Sequence, residues 1–260
     1  ALDDKVIAYD IRTQQSTNIF GGYFQSEWTS KLFNVLIGAR LDKHNLLENP
    51  VFVPRINFLY KPTTNLQVRA SYSSGYRAPQ AYEEDFHVTQ VGGLSLRTVL
   101  ADNLKPEYSN SFALSADYYC QIGDNWQGNI LLEGFYTILD DVFAIRELET
   151  DTLTQTLYQE RYNASGATIA GASITAKAAY KDLFTLSLGY TLQSSKYHQT
   201  EYWSDDESVE GTDFILKSPD DYGYLGIDLT AIDNLNINLS GIYTGKMRVA
   251  HYAGYIEQDR

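Results

Sequence analysis

Cysteine, methionine and proline are scarce in this sequence, with one, one and six residues in 260. The lone Cys120 excludes an internal disulfide, and its place beside an expected turn marks it as incidental rather than reactive. Nowhere do roughly 18 apolar residues run together, so no membrane helix is encoded. That excludes helical spans alone, because a membrane barrel carries its apolar residues at alternate positions and is polar on average. Bases are also few: 20 Lys and Arg stand against 33 Asp and Glu, a net charge of −13, which argues against nucleic acid as a partner. No Gly-rich loop precedes a helix-period segment, and no Ser-His-Asp or Cys-His order supports a nucleophile, so the sequence gives no ground for an enzyme or a cofactor. His44, His87, His198 and His251 fall in expected loops and are too scattered for a metal cluster.

What the chain does have is aromatics, with 21 Tyr, 11 Phe and 3 Trp, and period-two alternation. From Leu66 to Arg77, Leu66, Val68, Ala70, Tyr72 and Tyr76 fall on one face, and Gln67, Arg69, Ser71, Ser73, Gly75 and Arg77 on the other. This is the mark of a strand with one apolar and one wet face. Leu32–Asp42 and Leu183–Ser194 repeat it as plainly. Further strands are expected at 18–28, 51–60, 107–119, 127–146 (interrupted at Asp140-Asp141), 162–180, 221–230 and 235–243. These make ten, with a doubtful first at Lys5–Arg12. Pro54 lacks a ladder donor, so an irregularity is expected there.

The connections alternate in length. Short turns fall near Ser30, Thr63, Gly123, Lys181 and Asp233, and long polar links lie between them, above all at 78–106, 147–161 and 195–220. Tight turns at one end of an antiparallel meander and long loops at the other are the outer-membrane barrel pattern. Many expected strands are much longer than the roughly 5 or 6 residues usual in soluble sheets. Trp28, Tyr60, Tyr118, Tyr119, Trp126, Tyr180 and Phe184 lie beside short turns, as a girdle at a membrane–water interface requires. The expected fold is all-β, an antiparallel transmembrane barrel meander. Phe33, Val35, Ile37, Val68, Tyr72, Leu186 and Leu188 should face lipid, and Arg40, Arg55, Arg69 and Arg77 the lumen.

Four motifs, in order, carry a resemblance. Pro54–Pro62, Gly75-Tyr76-Arg77-Ala78-Pro79, Leu104-Lys105-Pro106-Glu107 and Asn163–Thr175 are together similar to segments of TonB-dependent outer-membrane receptors. The resemblance covers nearly the whole chain and implies part of a 22-stranded, plugged barrel in the outer membrane of a Gram-negative bacterium. Such receptors import scarce, bulky ligands of the ferric siderophore, haem or cobalamin type, with energy from the TonB complex. It also implies partners: outer-membrane lipid and lipopolysaccharide, an N-terminal plug domain, the TonB complex acting through that plug, and an extracellular small molecule. Residues 1–260 read as one partial barrel domain lacking the plug and last strands. The chain begins at Ala1 and stops in polar sequence at Arg260, as a fragment would. A passive porin-like channel and a soluble all-β binding module share the alternation and stay open as rivals.

Ligand capture is expected on the long-loop side, since loops of this length are usually functional or disordered. The candidate contacts are Arg77 at the mouth, Tyr82, Phe86 and Arg97 in 78–106, Tyr158 and Arg161 at 147–161, and Tyr202 and Trp203 in 195–220. Aromatic rings offer large contact area with a polar handle, which suits a bulky chelate. Residues 194–221 hold eight acids and two lysines. Neither the acids and His87 at 83–87 nor those at 205–210 have calcium-loop spacing, so no metal site is assigned.

Overall fold

The computed structural model describes residues 2–6, 11–79, 95–151, 156–202, 211–232 and 235–249. The first strands are β1 (Leu2–Val6), β2 (Ile11–Gln15), β3 (Ile19–Thr29), β4 (Phe33–His44), β5 (Val51–Tyr60) and β6 (Leu66–Arg77). Then come β7 (Ser95–Leu100), β8 (Glu107–Ile122), β9 (Trp126–Asp140), β10 (Phe143–Asp151) and β11 (Thr156–Asn163). The last are β12 (Ala167–Tyr180), β13 (Phe184–Glu201), β14 (Thr212–Phe214), β15 (Asp221–Ile232) and β16 (Leu235–Thr244). No helix occurs among the described residues.

Ten strands form one open wall in the order β3-β4-β5-β6-β8-β9-β12-β13-β15-β16, with β14 added against β13. All the wall's ladders are antiparallel. These are the ten strands expected from alternation. β1 and β2 correct the reading of Lys5–Arg12, which spans two strands: Lys5 pairs Arg12 and Val6 pairs Ile11 in a separate hairpin.

Register locks the two faces across the whole wall. One row of paired residues runs Phe33, Tyr60, Val68, Ala116, Leu132, Ile174, Tyr190, Gly223, Tyr243. The next row runs Asn34, Leu59, Arg69, Ser115, Glu133, Ser173, Thr191, Tyr222, Thr244. The first is apolar, aromatic or small; the second is mostly polar. Rows also climb: Tyr60 ends β5 beside a short turn, whereas Tyr190 lies six residues beyond Phe184, the first of β13. That stagger is what tilted strands of a barrel wall require.

Among the described residues, none packs over the apolar face. Phe52 is 62% exposed, Leu114 60% and Leu192 56%. Soluble monomers rarely leave a contiguous apolar surface so wide. Rings line the short-turn edge of this face, where Trp126 and Tyr180 lie tilted against each other with centroids 4.9 Å apart. Tyr119 is not among them. Because neighbours in a strand point to opposite sides, Tyr118 takes the apolar face and Tyr119 the polar one, where its hydroxyl donates to Asp117 at 2.7 Å. Clefts open on the polar face, the larger about 730 Å³ and lined by Gln25, Arg40, Arg55, Asn57, Ser71 and Ser73 among others.

Pro54 has the expected effect on one side only. The ladder to β4 runs through it unbroken, with Ala39 opposite. The ladder to β6 stops one residue earlier, at Arg55–Ser73. Beyond that point β6 is no longer held in phase with β5. Tyr76, expected on the apolar face, instead packs against the buried cluster of Leu47, Val51 and Ala78. Its hydroxyl donates to Asp42 at 3.1 Å, and Arg40 Nε reaches the same oxygen at 2.8 Å. His44, expected in a loop, closes β4 as a buried residue, its Nδ1 accepting the Leu46 N–H at 3.0 Å. His198, also expected in a loop, lies on β13.

The long connections are less irregular than their composition suggests. The expected strand 127–146 breaks at Asp141, whose φ of 54° turns the chain out of the wall. β10 and β11 then form a hairpin within the supposed loop, and β7, from the 78–106 connection, joins β11 in parallel. The chain returns through Gly166, at φ 97°, which splits the expected strand 162–180. A Cβ there would lie 2.7 Å from the Leu139 carbonyl oxygen and 3.0 Å from His198 Nδ1. Gly166→Ala is therefore expected to cost about 1–3 kcal/mol of strain. Faster proteolytic cleavage of the β10–β11 hairpin, with the wall still folded, is the expected readout. Unchanged cleavage would show the corner to be relaxed.

Candidate functional site at the long-loop end

β7, β11 and β10 make a three-stranded sheet that stands on the long-loop end of the wall. Its foundation is a corner built from the segments singled out in the sequence. Arg77 and Glu107 are register partners at the ends of β6 and β8. The Arg77 guanidinium lies 5.5 Å from the Phe143 ring centroid, while the Phe143 N–H donates to Glu107 Oε2 at 3.0 Å. Asn163 ties the rest together. Its Oδ1 accepts the Lys105 N–H at 2.8 Å, and its Nδ2 donates to the Asp141 carbonyl at 2.7 Å and the Lys105 carbonyl at 3.1 Å. Ala164 N–H donates to the Val142 carbonyl at 2.7 Å, and Val142, Ala164 and Ala167 are buried beneath. An amide side chain suits this post because it offers an acceptor and two donors at once.

The sheet has two unlike sides. On one, Arg146 faces Glu160 across the β10–β11 ladder, with Nε 2.9 Å from Oε2, and its guanidinium stacks 5.0 Å from the Tyr162 ring centroid. Tyr158 shares this side by alternation. On the other, Arg161 is opposite Ile145 in β10 and Leu100 in β7 and is only 3% exposed. Glu201, at the end of β13, clamps the hairpin from the flank. Its carboxylate accepts the Tyr162 hydroxyl at 3.1 Å and the Ser165 N–H at 3.0 Å. Burial first, then the nearby Glu201 carboxylate, pushes the Tyr162 phenol up to about 12.

Among the candidate contacts, the fold brings Arg97 and Tyr158 together as register partners in the parallel ladder. Arg161 lies on the same sheet but on its buried side, and Arg77 sits at its foot. Tyr202, 57% exposed, follows β13 immediately after Glu201. Tyr82, Phe86 and Trp203 lie outside the described residues, as do the acidic runs at 83–85 and 205–210 and two of the histidines, His87 and His251. Sequence reading missed Arg146, Glu160, Tyr162, Asn163 and Glu201. A signal was present in the alternation of Tyr158, Glu160 and Tyr162, but the polarity of 147–161 concealed it.

Over residues 3–258 the chain matches the family described as TonB dependent receptor-like, beta-barrel. The chain belongs to the TonB-dependent receptor β-barrel family. This is a family of receptors and transporters. Comparison with curated protein sequences gave no match. Among solved structures, the siderophore receptor PirA from Pseudomonas aeruginosa superposes with a TM-score of 0.63 at 18% identity, over 87% of this chain and 40% of PirA. The FrpB iron transporter from Neisseria meningitidis gives 0.59 at 15% identity, over 88% of this chain and 32% of FrpB. The copper transporter OprC gives 0.63 at 12% identity, over 95% of this chain and 39% of OprC. At these identities the likeness is one of fold. The chain spans well under half the length of each of these receptors.

Tyr162 offers a direct check on the clamp. Its raised pKa means that the unfolded hairpin releases the phenolic proton first. The stabilising effect is therefore complete below about pH 10 and is lost as pH rises toward 12. Subtracting the tyrosinate absorbance of Tyr162→Phe from that of the native chain should isolate one late-titrating phenol. A difference curve with its midpoint at 10 would break the Tyr162–Glu201 contact.

Proposed function

We propose that this chain forms part of the wall of an outer-membrane transport receptor, with residues 1–260 belonging to one barrel domain. The receptor captures a scarce, bulky ligand of the ferric siderophore type at the long-loop end and admits it with energy delivered through TonB. Family membership supports the transport role, and the siderophore and iron receptors among its structural likenesses support the ligand class. The exposed apolar face supports outer-membrane placement and disfavours a soluble module. In that setting the apolar face meets lipid and the polar clefts face a lumen that a plug fills. The polar residues of the wall already pair among themselves in part, as Arg40 does with Asp42. A passive channel is disfavoured by membership of a receptor family.

One observation carries the site assignment. The 78–106 and 141–166 connections do not project separately; they share a sheet through the β7–β11 ladder. A ligand settling there meets two loops at once on a positioned surface, which lowers the ordering cost of binding. Arg146 and Glu160 satisfy one another, so Tyr158 and the rings of Tyr82, Phe86, Tyr202 and Trp203 supply apolar contact, with Arg97 as the cationic element. Arg77 and the buried Arg161 hold the platform in place. The runner-up capture surface is the acidic 195–220 connection, whose charge repels an anionic chelate.

In the full-length receptor, deletion of 82–100 is expected to abolish high-affinity uptake of a ferric siderophore while the barrel still assembles. Uptake that survives unchanged removes this connection from the capture site. The placement of the wall has its own test. Leu114→Arg puts a charge in the middle of the apolar face and is expected to cost about 2–4 kcal/mol. Ser115→Arg, on the polar face, should cost little. Equal yields of heat-modifiable barrel from the two variants would reverse the assignment of faces.

A further inference from the structure

The long-loop end carries most of the chain's charge. Residues 77–107, 141–166 and 194–221, the three long connections with their strand ends, hold 18 acids against 7 bases, a net of −11 out of −13. Arg77 pairs Glu107, Leu139 pairs Ala167 and Leu192 pairs Asp221, so each connection leaves and rejoins the wall at the same end. Their charges therefore act together on anything that approaches from that side.

Most of the cations there are already occupied. Arg146 is paired with Glu160 and stacked on Tyr162, and Lys105 Nζ lies 3.6 Å from Asp141 Oδ1. Arg161 is buried, Arg77 lies over Phe143, and the Lys196 ammonium sits 4.8 Å from the Phe214 ring centroid. Several carboxylates, by contrast, accept from neutral donors: Glu201 from the Tyr162 hydroxyl and the Ser165 N–H, Asp213 from the Thr200 hydroxyl, and Asp221 from the Tyr190 hydroxyl. A neutral donor orients a carboxylate and leaves its charge in place. Two phenols register that charge. Burial first, then Glu201, pushes Tyr162 up to about 12. Tyr197, the register partner of the buried Ala167, is raised by burial first and then by Glu201 and Glu107.

A capture surface of this kind repels an anion and draws in a cation. Arg97 alone does not offset an excess of this size. The rings among the proposed contacts act in the same direction, since an aromatic face attracts a cation. We propose that the captured ligand is a metal chelate of net positive charge, of the ferric hydroxamate class with a free ammonium group, and that chelates of net negative charge are turned away. The inference rests on the capture of a ferric siderophore at this end, proposed above, and adds the sign of its charge.

The test uses the full-length receptor purified in detergent and one linear ferric trihydroxamate in three forms. With its terminal amine free the chelate carries one positive charge; acetylation makes it neutral, and succinylation leaves one negative charge. Association rates are measured for each form at low and high salt. The cationic form is expected to associate roughly 30-fold faster than the anionic one at an ionic strength of about 0.01 M, with the neutral form between them, and the spread should close to about threefold at 0.5 M. Replacing Glu83, Glu84, Glu207 and Glu210 by Gln and Asp85, Asp205 and Asp206 by Asn should cut the low-salt ratio to roughly threefold, because the field is a sum over these charges. Asp124→Asn with Asp182→Asn, at the short-turn end, should leave the ratio unchanged. A heat-modifiable band establishes that each variant is an assembled barrel. Association of the anionic form as fast as the cationic one at low salt would overturn the inference alone. A receptor that binds none of the three forms fails the siderophore reading itself, and the inference falls with it.

Discussion

Sheet register is the constraint on which everything else here depends. A strand's side chains alternate with a period of two, so slipping one ladder by one residue would send a whole apolar set to the wrong face. In this wall the nine ladders joining ten strands agree, and the row from Phe33 to Tyr243 stays apolar or small throughout. No packed core enforces this agreement, because none of the described residues covers the apolar face. In the proposed outer-membrane setting the surroundings on each side enforce it: lipid on one face would admit no charge, and a polar lumen would take the remainder.

Departures from the rule fall where the wall ends. Pro54 stops one ladder, Asp141 and Gly166 turn the chain out and back, and above those points strands pair in combinations the meander does not use. The parallel β7–β11 ladder joins segments about sixty residues apart in sequence. The corner beneath it is built from Arg77, Lys105, Glu107 and Asn163, which lie in the motifs singled out in the sequence. Their work is to fix the junction between wall and platform. The motif residues act as positioning groups, and of the proposed ligand contacts Arg97 and Tyr158 lie on the strands they hold up.

Much of the fold was legible because each wall strand sorts its residues by face, a pattern carried within 10 to 18 consecutive residues. Strand ends at Arg77 and Tyr180 were readable for the same reason. The site was less legible. Arg97 and Tyr158 could be named as candidates on chemistry, but nothing local to either predicts that they are partners. Arg161 was read as a surface cation and is buried, since burial depends on which side of β11 is covered. Tyr119 and Tyr76 show two further limits: one was a miscount of faces, the other a loss of phase caused by a neighbouring strand.

The sequence by itself determined the ten wall strands, their two faces and the end at which the long connections lie. It could do so because a strand's face pattern is a property of consecutive residues, apolar on one side and polar on the other, and every wall strand follows the same rule. Only the tertiary structure decided that the connections fold into a shared sheet and that Asn163 and Glu201 anchor it. Those pairings join positions tens of residues apart, and polar segments of this kind carry no local periodicity that selects one distant partner over another.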